Sequence, residues 1–93
     1  PPADTTALMG RETVPSSIML RGMSVDEALP LLANYLDRAY RAHHASVVVI
    51  HGRGEGILRR EVHVLCARLK YVKDYRLGGA GEGGYGVTVV TFA

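Results

Sequence analysis

The run Val47-Val48-Val49-Ile50 passes without a spacer into His51-Gly52-Arg53-Gly54-Glu55-Gly56, and a helical pattern starts directly after it. The run is short, β-branched and free of charge, the composition of a strand buried on both faces. From Leu58 the apolar residues recur at Val62, Leu65 and Leu69, one stripe of a 3.6-residue period. A chain that leaves a strand, turns through glycines and enters a helix has few folds open to it. Backbone N–H groups at such a helix start lack intrahelical partners and point outward, where phosphates are readily bound.

The rest of the chain extends the pattern. Ile18-Met19-Leu20 reads as a first strand, and Ser24-Val25-Asp26-Glu27 as a capping box that opens a helix running to about Ala42. Pro30 lies too deep for a first-turn proline and is expected to kink that helix, with the bond to the Asp26 carbonyl lost. His43 and His44 fall in the exit turn, where solvation is expected. Strand two is Ser46–Ile50 and helix two runs from about Gly56 to Leu69. Tyr71–Leu77 alternates, with Tyr71, Lys73, Tyr75 and Leu77 on one face; charge on both faces assigns it to a sheet edge. A glycine loop covers 78–86, and the charge-free Val87–Phe92 is an interior strand. Residues 1–17 mix Pro, Gly, Ser and Thr without a period and read as a tether. The fold class is therefore α/β, a β-α-β-α-β-β two-layer sandwich: a four-stranded mixed sheet with two helices on one face, spanning 18–93.

Strand polarity has a functional consequence. Strands joined by a helix in one sheet run parallel with a right-handed crossover. Strands one, two and three then end on one rim, and strand four returns antiparallel. Arg21, the hexapeptide and the glycine loop should meet there, with both helix N-termini. Ligands of open α/β sheets bind outside the carboxyl ends of the strands.

Composition narrows the class of partner. Ninety-three residues allow one small domain, and a 47% hydrophobic share excludes a disordered chain. No apolar run is long enough to span a bilayer. The chain begins with Pro1, as expected of a piece of something longer. The single Cys66 excludes an intrachain disulfide, fits a reducing cytoplasmic setting and reads as a small core residue. The net charge is only +2, but residues 51–76 carry seven basic side chains against three acidic. That concentration, and the preference for arginine, point to a nucleic acid. On helix two, Arg59, His63 and Lys70 should share one flank, with Arg60 further round.

The hexapeptide is not a Walker loop, since no Gly-Lys-Ser/Thr follows, and Ile57 occupies the third-glycine position of a dinucleotide fingerprint. No nucleotide cofactor is expected, and no Cys or His pair has zinc spacing. His51 has two readings: it bonds its own turn, or it takes a proton from water or bonds a phosphate oxygen. Arg21 suits neutralisation of transition-state charge. Glu55 and Glu82 are the carboxylates of the rim loops and the candidates for holding Mg2+ or Mn2+. The amides of Gly52, Arg53, Gly54 and Gly56, with those around Gly84, would form a backbone cradle.

Leu20-Arg21-Gly22, Val25-x-Glu27-Ala28, Ile50-His51-Gly52-x-Gly54-x-Gly56-x-Leu58-Arg59 and Gly81-Glu82-Gly83-Gly84-x-Gly86-Val87-Thr88-Val89 together resemble the Smr (small MutS-related) domain. The resemblance is to the version at the C-terminus of bacterial MutS-like ATPases that suppress homologous recombination. It implies strand four between strands two and three, DNA binding and a nicking endonuclease activity of little sequence specificity. His51, Arg21 and Glu82 would be the catalytic set, with DNA (branched forms included) and the parent ATPase chain as partners. The alternative it leaves open is a non-catalytic module for branched DNA or ribosomal RNA. The family's LDxR segment is matched at Arg21 but has Met19 where the family has an acid.

Overall fold

A computed structural model describes residues 13–93. Strands β1 (Ser17–Met19), β2 (Ser46–Ile50), β3 (Val72–Leu77) and β4 (Val87–Phe92) alternate with helices α1 (Val25–Arg41) and α2 (Ile57–Arg68), and a 3₁₀ turn at Gly84–Gly86 precedes β4. The sheet order is β1-β2-β4-β3. β1 and β2 are parallel, while β4 is antiparallel to both of its neighbours. The mixed sheet, the interior β4 and the edge position of β3 all follow the sequence-based expectation.

Strand residues of one parity, Ile18, Val47, Val49, Val90 and Phe92, share a single core with Ala28, Leu32, Tyr35, Leu36 and Ala39 of α1 and Val62 and Cys66 of α2. Both helices therefore cover the same face of the sheet. The opposite parity, Met19, Ile50, Val48, Val87 and Val89, follows the strand registers onto the uncovered face. Cys66 is a free, buried core residue whose thiol is pushed up to about 11 by burial. Among the described residues no helix is long and apolar enough to cross a membrane.

The two helices start differently. Ser24 Oγ accepts from the Glu27 amide at 3.2 Å, and the Ser24 amide donates back to Glu27 Oε1 at 3.1 Å, the capping box read from the sequence. α2 starts from Gly56 at φ 84°, with no side-chain cap and no acid in its first turn. α1 runs unbroken through Pro30. Pro30 and Asp26 are both exposed, so the carbonyl that Pro30 cannot bond is on the water side.

Three expectations are corrected. Residues 1–12 of the tether lie outside the described residues, but Val14 is buried, the Pro15 carbonyl accepts from Tyr35 Oη and the Ser16 carbonyl from the Val48 amide. The end of the tether thus belongs to the domain. His44 is half-buried rather than solvated, with Nε2 2.7 Å from the Val14 carbonyl, to which it donates. In β3 a bulge between Val72 and Asp74 adds one residue, so Val72 and Tyr75 both face the core and Lys73 is exposed. Strict alternation had put those two on opposite faces.

Replacing Ser24 by alanine removes one half of the capping box. It is expected to lower unfolding free energy by about 1 kcal/mol in urea titration, with an unchanged m-value.

Candidate nucleic-acid interface at the strand ends

Parallel β1 and β2 deliver Arg21 and Gly52 to adjacent positions on one rim. A Cβ on Gly52, where φ is +83°, would lie 2.9 Å from Arg21 Cγ, so the arginine stem rests directly on the glycine. β4 brings the second glycine loop to the same place. The His51 and Gly52 amides both donate to the Gly86 carbonyl, at 3.1 and 2.9 Å. Arg53 lies across that loop: a Cβ on Gly86 would meet its Cγ at 3.5 Å, and one on Gly84 its Nη2 at 3.4 Å. Arg59 folds back from α2, its Nη2 2.6 Å from where a Gly56 Cβ would be. The rim derived from strand polarity is present, and glycines let three arginines close over it.

Two hollows open there. One, of about 300 Å³, is enclosed by the hexapeptide with Met23, Ser24 and Arg59. The other, of about 620 Å³, lies on the uncovered sheet face between Arg21, Arg53 and Glu82, with Val48, Ile50 and Val87 as its floor. Tyr85, 65% exposed in the adjoining turn, adds an aromatic surface that the sequence reading passed over. An aromatic inside a glycine loop was the available signal.

His51 turns inward and is only 5% exposed. Nδ1 lies 2.9 Å from the Gly52 carbonyl and Nε2 lies 2.8 Å from Thr88 Oγ1. His63, expected to bind nucleic acid from one flank with Arg59 and Lys70, instead turns inward, its Nε2 2.7 Å from the same hydroxyl and its ring 5.1 Å from that of Tyr75. Thr88 is fully buried and was not singled out from the sequence. A polar side chain inside a charge-free interior strand was the clue to it. Burial is the main force lowering both imidazole pKa values. Arg59 adds to it in each case, the charge of His51 adds to it at His63, and the Gly52 bond opposes it at His51.

The remaining candidates separate. Glu82 is bonded to Arg76 through both carboxylate oxygens, at 2.8 and 3.1 Å, and accepts from the Gly79 amide at 2.8 Å. The Arg76 bond and then the Gly79 amide hold its pKa at about 2, so it stays ionised at any ordinary pH. It clamps the glycine loop. Glu55 is exposed in the hexapeptide. Among the described residues no three His, Cys, Asp or Glu side chains are grouped to hold a metal. With the Glu82 oxygens already engaged, the donor set does not fit a protein-ligated Mg2+ or Mn2+. Arg60 is exposed, its Nε 3.9 Å from Glu61. Lys70 is not on the α2 flank: the helix ends at Arg68, and Leu69 is extended at φ −91°, ψ 118°. Lys70 therefore lies past the helix end opposite the rim.

Two outcomes follow from these contacts. Gly52→Ala is expected to cost about 1–2 kcal/mol from the positive φ alone, measured by chemical denaturation. Because the folded chain disfavours charge on His51 and His63, the unfolded chain binds protons first as pH falls below the usual 6.5. Stability contributed by the neutral pair is full above that value and lost below it. Thermal melts from about pH 7.5 to about pH 5 should show a falling Tm, with a shallower fall in His63→Gln.

Comparison with known proteins fits this architecture. The family model described as Smr domain matches residues 18–93. The chain is 58% identical over 71 residues to the endonuclease MutS2 of Lachnoclostridium phytofermentans, a match covering 76% of this chain and 9% of that protein. It is 52% identical over 80 residues to the endonuclease MutS2 of Agathobacter rectalis, covering 86% of this chain and 10% of that protein. The chain thus spans about a tenth of the length of these relatives. Among solved structures, the Smr domain of Thermus thermophilus MutS2 superposes with a TM-score of 0.81 at 34% identity, covering 85% of this chain and 99% of that one. The stand-alone small MutS-related protein YdaL of Escherichia coli shares the fold, with a TM-score of 0.79 at 23% identity, covering 83% of this chain and 63% of that one.

Proposed function

The chain belongs to the Smr domain family, and from that membership and the geometry of its rim we propose that it binds DNA and nicks it with little sequence preference. The observation that carries the reading is the convergence of Arg21, Arg53 and Arg59 on glycine turns beside the uncapped start of α2. Among the described residues none of the three has an acidic partner. Unpaired guanidiniums and open helix amides on one rim are what a sugar–phosphate strand requires. The names of the MutS2 relatives support endonuclease chemistry. As part of a longer MutS-like chain, the domain would act in the cytoplasm in suppression of homologous recombination, branched DNA being its natural target.

Of the two chemical roles open to His51, donation to a phosphate oxygen suits the geometry better than taking a proton from water. Nδ1 faces a carbonyl and so carries the proton, while Nε2 is turned into the core. The Nδ1–H would pass from the Gly52 carbonyl to a phosphate oxygen as charge builds up there. Arg21, next to it on the rim, would neutralise the remaining charge. Glu82 would keep the loop in shape rather than exchange protons.

A second reading, a non-catalytic module for branched DNA or ribosomal RNA, is favoured by one observation. Among the described residues no free carboxylate lines the hollow beside Arg21: Glu82 is paired, and the adjacent strand position is Met19, 48% exposed opposite Ile50.

Nicking of supercoiled plasmid, with Mg2+, Mn2+ and chelator in parallel, separates the two readings and reports the ion requirement. His51→Ala and Arg21→Ala should each slow nicking by about 100-fold or more. Parent-like rates in both variants would remove the assigned roles, and salt-sensitive binding without cleavage under either ion would establish the second reading. In binding titrations on duplex DNA, Arg53→Ala and Arg59→Ala should each reduce the log–log salt slope by about 0.9, one phosphate contact apiece. Slopes equal to the parent's would move the contact surface elsewhere.

A further inference from the structure

Thr88 is the one fully buried polar side chain of β4, and its hydroxyl meets two imidazole nitrogens, His51 Nε2 at 2.8 Å and His63 Nε2 at 2.7 Å. A hydroxyl has a single proton, so it donates to one of these nitrogens and accepts from the other. The Gly52 carbonyl resolves the choice. It can only accept, so His51 Nδ1, 2.9 Å away, carries the proton. A neutral His51 is then an acceptor at Nε2, Thr88 donates to it, and His63 donates to Thr88 through Nε2–H. The chain of protons reads His63 Nε2–H to Thr88, Thr88 O–H to His51, His51 Nδ1–H to the Gly52 carbonyl. In the reverse order the lone pairs of His51 Nδ1 and the Gly52 oxygen would face each other. Among the described residues His63 Nδ1 has no hydrogen-bond partner, so its lone pair is free, as this order requires.

We propose that Thr88 and His63 are positioning residues for the hexapeptide: they hold His51 as the Nδ1–H tautomer, and His51 in turn holds the Gly52 carbonyl. The geometry at Gly52 shows why this matters. Its amide donates to Gly86 while its carbonyl accepts from His51, so both peptide groups of the glycine are held. Gly52 at φ +83° also supports the stem of Arg21, and Arg53 follows it directly. Releasing the carbonyl frees the turn that sets two rim arginines, although neither Thr88 nor His63 touches a phosphate. Arg59 of α2, whose charge acts on both imidazoles, favours the neutral forms that the proton order requires. Tyr75 of β3 packs edge-on against His63. The consequence for binding rests on the nucleic-acid reading of the rim; the proton order does not.

The test has two arms. Ring nitrogen NMR of the neutral 93-residue chain, without nucleic acid, should show protonated Nδ1 with unprotonated Nε2 for His51, and the opposite pattern for His63. Thr88→Val keeps the shape and removes the hydroxyl, so the His51 Nε2 signal should move toward that of an unbonded nitrogen. Thr88→Ser should restore it. In the second arm, Thr88→Val should weaken DNA binding by about tenfold with the salt slope unchanged, since no cation is lost, and Thr88→Ser should bind within about twofold of the parent. Should Thr88→Val fail to fold, His63→Leu replaces it and should move the same His51 signal and weaken binding in the same direction. A parent His51 protonated at Nε2, or a folded Thr88→Val with parent signals and parent affinity, overturns the proposal. A parent that binds no nucleic acid ends the reading of the rim, and the NMR arm then decides the proton order alone.

Discussion

The Gly86 carbonyl accepts from the amides of both His51 and Gly52, and the rest of the rim depends on that doubled bond. It ties the loop entering β4 to the loop leaving β2, segments 34 residues apart in the chain. Once they are joined, Arg53 can lie along the glycines of the second loop, and Arg21 can rest on Gly52 from the third direction. A side chain at Gly52 would collide with that arginine stem, and the backbone there has a left-handed φ that glycine adopts without strain. Chain direction supplies the underlying reason. β4 must run opposite to β2, so its first residue lies beside the last residue of β2, Ile50 against Val87.

The electrostatics of the rim are one-sided because, among the described residues, three arginines meet a single unengaged loop carboxylate, the exposed Glu55, once Glu82 is paired. Glu82 is ionised but neutralised by Arg76, whose own charge is thereby withdrawn from the rim. α2 begins without a capping acid, so the positive end of its dipole adds to Arg53 and Arg59 rather than being cancelled. α1 shows the opposite arrangement, with Asp26 and Glu27 in its first turn and a complete capping box. Of two helix starts on the same rim, the second alone is left open to an external anion.

Behind the rim the polar interior is built from neutral groups. Two imidazoles share one hydroxyl under the sheet, and burial keeps them uncharged while Arg59 stands nearby. Of the two readings of His51, the structure shows the local one. It bonds its own turn through Nδ1 and the Gly52 carbonyl, and under the proton order proposed above that nitrogen carries the proton.

Element order, strand polarity and the site of convergence were legible in the residues themselves. The β-branched Ser46–Ile50 and charge-free Val87–Phe92 runs, the Ser24–Glu27 box and the 3.6-residue stripe after Gly56 are all local patterns, and local patterns encode backbone periodicity directly. Right-handed, parallel crossovers then carry Arg21, His51 and the glycine loop to one rim without further information. The bulge that brings Val72 and Tyr75 to one face, the pairing of Glu82 with Arg76, and the inward turn of His51 and His63 onto Thr88 were decided only in three dimensions. The histidine contacts depend on which polar group is left unsatisfied once the core closes, and Thr88 lies 37 residues from His51 and 25 from His63. No period or spacing connects such residues; packing of the strands and α2 does, because a buried hydroxyl and a buried imidazole must find each other or lose their hydrogen bonds.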